Sequence, residues 1–390
     1  MMDYNAIAAL VCIVLMVVFL YFERRRIKLQ RILFPVLYFV MYKTKIGLKS
    51  MDSWAKRLPR FFKTLSFLGV VIGFLGMLLI GFELVRNTFN LLLKPGIAPG
   101  IQPVLPFEAK GVFFVPFIYW ILAIFFIATV HEFSHGLIAR VYKIKIKSSG
   151  VAFLGVILPV VPAAFVEPEE KQLVKKSLVA QLSVFAAGPF ANIISAAVMI
   201  LLVVNVAAPI TAAAFDARGV EIVQVVAGGP FAEAGVTEGE ILHKFEGSVI
   251  DSAANFTEAV ADFKPGDVIV VTTNLSSYAV TLGKHPQDSS KPYLGISTKQ
   301  YSEPNPGFVA EHGAFVPSAI KWVSGLLYWL FVLSLGIGLF NLLPLGPIDG
   351  GRMVKAVAEK YSKKHGYKIW KYISLFFFIL VLFNVIAGFL

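Results

Sequence analysis

Two histidines and a glutamate lie close together in the sequence His131-Glu132-Phe133-Ser134-His135. On a helix, residues four apart share one face, so both imidazoles can bind one metal ion. Zinc lowers the pKa of a bound water toward about 7, so that the glutamate can take its proton and the hydroxide can attack a carbonyl carbon. The spacing predicts a hydrolytic zinc centre with Glu132 as general base. The alternative is two buried histidines and a glutamate that bond to neighbouring helices.

A catalytic zinc ion usually has a third protein ligand besides water. The glutamates of residues 167–170 lie on a basic loop, where we expect solvated charges. Asp349 instead follows the apolar residues 341–348 and precedes two glycines. The prolines and glycines of this segment break a helix, which would let Asp349 turn toward a neighbouring helix. We therefore expect Asp349 to be the third ligand; the alternative is an aspartate that caps the next helix.

The elements that position these residues are predicted to lie in a membrane. Of 390 residues, 57% are hydrophobic and only 15% are charged, against about 25% in soluble proteins. This composition excludes a soluble enzyme and a disordered chain, and the single Cys12 excludes an intramolecular disulfide. Uncharged apolar stretches of roughly 20 residues predict transmembrane helices. We predict six, at residues 4–21, 65–84, 112–130, 178–207, 322–343 and 370–390.

Two apolar segments do not fit this pattern. Residues 32–42 are short and contain Pro35, which favours an interfacial or re-entrant segment. Residues 150–165 contain prolines and many Val residues, which favours strand and loop. Irregular backbone at membrane depth must be covered by protein or line a wet cavity. The second segment is therefore a candidate wall of the site, or alternatively a hairpin that lies on the membrane surface.

The positions of the basic residues predict the orientation of the chain. The net charge is +12, and 26 of the 36 Lys and Arg residues fall in residues 23–64, 140–176 and 352–371. In the six-span arrangement all three segments lie on one side, which the positive-inside rule makes cytoplasmic. Both termini are then extracytoplasmic, and the metal site lies in the cytoplasmic leaflet. Contact with anionic membrane lipid explains the basic charge, and no nucleic-acid partner is expected.

Residues 212–300 form a compositionally distinct segment with 11 acidic and 6 basic residues. Short β-rich stretches alternate with turn signals, which predicts a small α+β domain between membrane parts at residues 1–211 and 301–390. The order of motifs, including Gly229-Pro230-Phe231-Ala232, resembles PDZ domains of bacterial-type membrane and envelope proteases. The resemblance implies a loop that faces a bound peptide or substrate ectodomain. Its residues would be Tyr293, Leu294, Gly295 and Ile296. The alternative is a β-rich spacer without a ligand.

The combination of His131-Glu132-xx-His135 with Asn341-xx-Pro344-xxxx-Asp349-Gly350 resembles the site-2 protease family of intramembrane zinc metalloproteases. The element Gly188-xxx-Asn192 is also similar, and the resemblance covers roughly residues 112–390. This family usually has Leu where the chain has Ile348, a swap between apolar residues of the same size.

The resemblance implies a role for each matching residue. His131, His135 and Asp349 would bind Zn²⁺, and Glu132 would act first as base and then as the acid that protonates the leaving amine. Asn192 and Asn341, with Pro344 beside them, would hold the substrate backbone or the oxyanion. For each asparagine, the alternative is an interhelical hydrogen bond. The substrates would be transmembrane or membrane-tethered proteins.

The fold class predicted is a polytopic α-helical membrane protein with about six transmembrane helices, a re-entrant β segment and an inserted α+β PDZ domain. Two other functions are kept as alternatives. One is a membrane zinc protease of another family, with Glu or His as third ligand. The other is a catalytically silent scaffold that binds membrane proteins through the PDZ domain.

Overall fold

The computed structural model describes residues 4–33, 37–93, 97–156, 158–286 and 288–390. The chain divides into two compact units, one of Met1–Val203 with Gly325–Leu390 and one of Val204–Ser324. Pro35, on which the prediction of a re-entrant segment depended, lies outside the described residues.

The described helices and strands follow one another along the chain. The helices are α1 (Tyr4–Phe22), α2 (Leu48–Arg57), α3 (Pro59–Leu93), α4 (Phe117–Val141), α5 (Glu170–Leu173), α6 (Leu178–Leu202), α7 (Ala208–Ala214), α8 (Pro230–Glu233), α9 (Ala253–Ala261), α10 (Pro306–His312), α11 (Phe315–Phe340), α12 (Asp349–Tyr361) and α13 (Gly366–Phe389), with a π-helical turn at Val203–Ala207. The strands are β1 (Ile27–Leu33), β2 (Leu37–Thr44), β3 (Val104–Leu105), β4 (Phe113–Phe114), β5 (Ile146–Val156), β6 (Leu158–Pro168), β7 (Phe215–Val225), β8 (Ile241–Phe245), β9 (Ser248–Val249), β10 (Val268–Thr273), β11 (Ser277–Thr281), β12 (Gly283–His285), β13 (Asp288–Tyr293) and β14 (Ile296–Pro304).

Six helices among the described residues are long and apolar enough to cross a membrane, and all six coincide with predicted spans. They are Asn5–Phe22, Pro59–Leu93, Phe117–Val141, Leu178–Ala214, Phe315–Phe340 and Gly366–Phe389. The helix of the third span begins five residues later than predicted, because β4 and Pro116 precede it. The fifth ends at Phe340, since the chain then turns through residues 341–348 to reach α12.

The first unit also contains an antiparallel four-stranded sheet in the order β1-β2-β5-β6. The segment 150–165 was predicted as strand and loop. Its described residues, 150–156 and 158–165, lie in the paired strands β5 and β6, where Gly150 pairs with Phe165. Residues 37–42, for which no strand was predicted, belong to β2, which pairs along its whole length with β5. Aromatic and β-branched residues such as Phe39 and Val40 favour such a strand, and the short apolar length obscured that signal.

The helices that bear the predicted site residues pack around α6. Its small residues Ala186 and Ala187 are buried, and they belong to one apolar cluster with Ile138 of α4 and Met353 of α12. Small side chains let neighbouring backbones approach closely, as is common between membrane helices. Helix α2 covers α4 because Gly136 leaves room for the thioether of Met51, which a Cβ at that position would overlap.

The second unit contains a sheet in the order β11-β10-β8-β7-β14, with β9 paired to β8. Strands β7, β8, β10 and β11 account for the short β-rich stretches that the sequence shows in this segment. Apolar side chains including Ile222, Phe231 and Leu242 form its core. Strand β14 is last in this order, so one of its edges pairs with no strand among the described residues.

A buried glutamate stabilises this second unit. Glu240 is only 2% exposed, and its carboxylate accepts hydrogen bonds from the Thr237 amide at 2.7 Å, the Thr273 hydroxyl at 2.6 Å and the Tyr278 hydroxyl at 3.2 Å. Burial raises the pKa of Glu240, but these hydrogen bonds outweigh that effect and hold the pKa below its usual value. The charged form therefore stabilises the folded unit.

Candidate metal centre

Helix α4 and the start of α12 bring two imidazoles and a carboxylate together. Nε2 of His131 lies 3.0 Å from Oδ2 of Asp349 and 3.0 Å from Nε2 of His135. Nε2 of His135 lies 3.3 Å from the same carboxylate oxygen. The one-turn spacing on α4 aligns the histidines, as predicted, and the break in the helix at residues 341–348 presents Asp349 to them.

The spacing of these three groups fits a tetrahedral zinc site. Zinc bonds of about 2.0–2.1 Å separate tetrahedral ligand atoms by about 3.3 Å, close to the separations observed. All candidate ligand atoms of His131, His135 and Asp349 lie within 4.8 Å of one another. A Cβ at Gly188 would overlap Nε2 of both histidines. The glycine on α6 therefore keeps the space beside both candidate ligand nitrogens open.

The protonation of His135 also suits a metal ligand. Its Nδ1 lies 2.6 Å from the carbonyl oxygen of Val184, which can only accept a hydrogen bond. Nδ1 therefore carries the proton, and in the neutral ring Nε2 keeps a lone pair for a metal. This kind of outer hydrogen bond fixes the orientation of a ligating imidazole.

Asn192 on α6 contacts Nδ1 of His131, as the Val184 carbonyl contacts Nδ1 of His135. Its amide Nδ2 is 3.1 Å from Nδ1 of that ring, and its Oδ1 is buried without a hydrogen-bond partner among the described residues. Rotation of the amide by 180° exchanges oxygen and nitrogen. Oδ1 would then accept from a protonated Nδ1 of His131, which satisfies the unpartnered oxygen and leaves Nε2 of His131 free to bind a metal. The donor set thus fits zinc.

Glu132 lies between the histidines and the sheet. Its Oε2 accepts a hydrogen bond of 2.9 Å from the main-chain amide of Val166 in β6, and no hydrogen bond reaches Oε1 from the described residues. A cavity of about 160 Å³ adjoins the carboxylate. Its lining includes Thr129 and Phe133 of α4, Met51 of α2 and Val151 of β5. The geometry leaves one carboxylate oxygen of Glu132 available beside an open space.

The outer edge of β6 carries few free donors. Val166 lies opposite Ser149 of β5 in the register of the sheet. Its main-chain N–H donates to Glu132, so this N–H points away from β5. Alternate residues of a strand direct their N–H groups to the same side. Ala164 therefore also directs its N–H outward, whereas Pro162 and Pro168, at the equivalent positions, have none. Prolines of this kind are typical of an edge strand.

An ion pair links the carboxyl end of β6 to β2. Oε2 of Glu167 accepts hydrogen bonds of 2.8 Å from Lys43 and of 2.8 Å from the Ser148 hydroxyl. The hydrogen bond from Lys43, followed by that from Ser148, lowers the pKa of Glu167. Glu167 is one of the loop glutamates for which the sequence predicted a solvated charge. Its side chain is 39% exposed, and it also pairs with Lys43.

The remaining residues predicted to bind substrate lie elsewhere. The Asn341 side chain donates to the carbonyl of Ile337 in its own helix at 2.9 Å, and its main-chain carbonyl accepts from Gly350 at 2.8 Å. Pro344 is buried in the turn before Asp349. These contacts stabilise the turn before Asp349. Substrate binding by Asn341 and Pro344 stays a prediction.

The loop predicted to face a peptide lies in the second unit, between β13 and β14. Its Leu294 and Gly295 carbonyls accept from the amides of Phe231 and Val226 at 3.2 and 2.8 Å. Gly295 has a φ of +72°, which favours glycine. These contacts hold Tyr293 and Ile296 on either side of a fixed turn.

Two main-chain groups of the centre, and the role of Gly188, were missed by sequence reasoning. The Val184 carbonyl and the Val166 amide belong to the main chain, so no side-chain pattern identifies them. Gly188 could have been found, because it opens the element Gly188-xxx-Asn192 and only glycine fits beside the two histidines.

Helices long and apolar enough to cross a membrane, and a His-His-Asp cluster with an adjacent glutamate, are the features expected of a membrane metallopeptidase. Residues 119–384 match the model of "Peptidase family M50". The chain belongs to this family, which is the site-2 protease family, and members of the family are zinc-dependent membrane proteases. The resemblance drawn from the motifs is thereby confirmed, and the alternative of another protease family is set aside.

Two further comparisons add relatives. "Uncharacterized protein MJ0971" of Methanocaldococcus jannaschii is 26% identical over 377 residues, which are 93% of this chain and 88% of that protein. The PDZ domain of the SdrC-like protein of Listeria monocytogenes is 19% identical and matches 21% of this chain and 87% of that structure, with a TM-score of 0.19.

Proposed function

We propose that this protein is an intramembrane zinc endopeptidase that hydrolyses peptide bonds in transmembrane or membrane-tethered proteins. The observation that carries the proposal is the meeting of His131, His135 and Asp349 at 3.0–3.3 Å, with Glu132 beside an open strand edge. The low charged fraction strengthens it, because ionisable groups within membrane spans are costly and usually serve a function.

In this proposal the two histidines would hold zinc through Nε2, and Asp349 would hold it through a carboxylate oxygen. Zinc when bound acidifies a water and polarises the scissile carbonyl. Glu132 would take a proton from the attacking water on its carboxylate and would later give it to the leaving amide nitrogen. Val184 and Asn192 keep the imidazoles oriented, and the amide nitrogen of Asn192 is then a donor for the substrate carbonyl or the oxyanion.

The substrate would bind as an extended strand along β6. A helical substrate hides its carbonyl groups in hydrogen bonds within the helix, so it must unwind before attack. Extended peptides can add to an exposed strand edge through main-chain hydrogen bonds. A substrate carbonyl that accepts from Val166 would displace Oε2 of Glu132 and thus release the carboxylate to act on water. Ala164 would supply the second donor.

The charge distribution supports an orientation with the active site near the cytoplasmic leaflet and with the termini and the residues 212–300 extracytoplasmic. We propose that this insert is a PDZ domain that receives a peptide or a substrate ectodomain at the free edge of β14, next to Tyr293, Leu294, Gly295 and Ile296. It would admit trimmed substrates and delay those with bulky ectodomains. If its deletion leaves long and trimmed substrates cleaved at equal rates, this filter is contradicted.

The endopeptidase proposal is tested with the purified full chain and a single-span substrate protein. Mass spectrometry should find a new amino terminus within the membrane segment of the substrate. A zinc chelator should abolish its formation, and added Zn²⁺ should restore it. A chain that binds the substrate but never cleaves it would be a scaffold, the alternative that the PDZ resemblance keeps open.

A further inference from the structure

A second cavity in the first unit has none of His131, His135, Asp349 and Glu132 in its lining. Its volume is about 470 Å³, within the range of small-molecule sites. It is lined by residues of α5, α6, α12 and the start of α13. They include Phe185, Arg352, Lys355 and Trp370, and also the two carboxylates of Glu170 and Glu359. None of these six side chains has a part in the peptidase chemistry proposed above.

Two cations of α12 line this cavity one turn apart. The guanidinium of Arg352 lies 4.3 Å from the ring centre of Phe185, and Nζ of Lys355 lies 5.2 Å from that of Trp370. Each cation–π contact restricts the position of its cation, so both charges are held beside the same cavity. The pair is therefore suited to an anion held between them.

The ion pairs that these cations make are exposed. Arg352 lies 3.3 Å from Glu170, and Lys355 lies 3.9 Å from Glu359. The side chains of the two glutamates are 63% and 48% exposed, and such surface pairs contribute little to stability. Both carboxylates can turn to solvent when a stronger anion arrives.

A third donor in the cavity wall has no partner. Nε1 of Trp370 is buried without a hydrogen bond from the described residues. Buried indole N–H groups normally have an acceptor. Because Nε1 is itself buried, the Trp370 ring must turn toward the cavity before an anion between Arg352 and Lys355 can accept from it.

The depth of the cavity identifies the source of the anion. Phe185 and Trp370 lie in the first two turns of the spanning helices α6 and α13, within roughly 10 Å of the helix starts. Phospholipid headgroups extend about 5–7 Å beyond each side of the hydrocarbon core. Residues 352–371 carry seven basic residues and one acidic residue, and basic pockets between membrane helices suit anionic headgroups.

We infer that this cavity binds the phosphate group of a membrane phospholipid, with Arg352 and Lys355 as the cations and the Trp370 indole as a hydrogen-bond donor. The site does not depend on peptidase activity. Arg352 and Lys355 belong to α12, which begins at Asp349. A lipid bound in the cavity therefore also stabilises the position of the helix that carries Asp349.

Native mass spectrometry of the purified full chain tests the site with phosphatidylglycerol, with diacylglycerol of the same acyl chains and with inorganic phosphate. The wild-type chain should retain one phosphatidylglycerol and no diacylglycerol. Arg352→Gln combined with Lys355→Gln should weaken retention about 30-fold, since each basic residue near an anionic lipid contributes about a factor of five. Lys363→Gln combined with Lys364→Gln removes the same charge outside the cavity and should leave retention unchanged.

Trp370→Phe provides a second variant that keeps the charge and the ring and removes only the N–H; it should weaken retention by a smaller factor. Equal retention by the two double variants overturns the inference, as does retention of diacylglycerol. Binding of inorganic phosphate without phosphatidylglycerol would also overturn it, in favour of a soluble anion. The zinc content of each variant reports whether the membrane unit is folded.

Discussion

Ala164→Pro tests whether the substrate binds along β6. The register places Ala164 opposite Val151, and its N–H faces away from β5, so proline removes a donor without breaking the β5–β6 ladder. Prolines already stand two residues before it and four residues after it, at Pro162 and Pro168. The sheet therefore tolerates proline on this side, in agreement with the usual confinement of proline to edge strands.

The expected loss follows from one main-chain hydrogen bond. Such a bond contributes about 0.5–1.5 kcal/mol, which corresponds to a fall in kcat/KM of about 2- to 13-fold. Ala164 and Val166 are the outward donors of residues 162–168, so the variant keeps only one of the two. The zinc content and the melting temperature should stay at the wild-type values, because neither the ligands nor the ladder changes.

Two control variants make this result specific. Ala164→Gly keeps the N–H and should cleave at close to the wild-type rate. Ala163→Pro removes an N–H that faces β5, so it should lower the melting temperature of the whole chain. The assay is the initial rate of cleavage of a single-span substrate by purified enzyme in detergent. Strand addition is refuted if Ala164→Pro cleaves at the wild-type rate, or if Ala164→Gly loses as much activity as Ala164→Pro.

Further predictions concern the centre and the second unit. Asp349→Ala should lower zinc affinity by more than the about 10- to 100-fold typical of a lost supporting hydrogen bond; unchanged affinity in a zinc titration would point to another ligand. Asn192→Ala should lose zinc affinity within that range and Asn192→Asp, which keeps an acceptor oxygen, should lose less; equal losses would contradict the acceptor role. Gly188→Ala should lose zinc because its Cβ overlaps both imidazoles, which metal analysis checks. Glu240→Gln should destabilise the second unit by about 1–3 kcal/mol, read as faster hydrogen exchange in residues 241–245. Since the folded pKa of Glu240 is lowered, its contribution is present above its unfolded pKa and is lost as the pH falls through the folded pKa; a difference between variant and wild type that persists in acid would contradict this.

The side-chain chemistry of the centre was largely predictable, and its main-chain part was not. The spacing of His131 and His135 dictates a shared helix face, and the position of Asp349 after a broken apolar segment predicts the contact that the structure shows. The groups that orient them, the Val184 carbonyl and the Val166 amide, depend on how α6 and β6 pack against α4. Any residue type carries those groups, so no sequence pattern marks them.

The membrane helices were predictable because a run of about 20 uncharged apolar residues has few other uses. The pairing of β1 with β2 was not predictable, because an apolar stretch as short as residues 32–42 fits several structures. The other strand that pairs with β2 is β5, which lies more than 100 residues away in the sequence. The ion pair of Glu167 with Lys43 was not predictable for the same reason, because the sheet brings these two residues together.

The central claim, that Glu132 acts on a water at a zinc centre, is tested most directly by Glu132→Gln in the purified full chain. Zinc content and cleavage of a single-span substrate are measured on the same preparation. We predict a full complement of zinc with cleavage abolished, because the amide cannot take a proton. Cleavage at the wild-type rate by zinc-loaded Glu132→Gln would contradict the claim, as would an absence of cleavage by zinc-loaded wild-type protein.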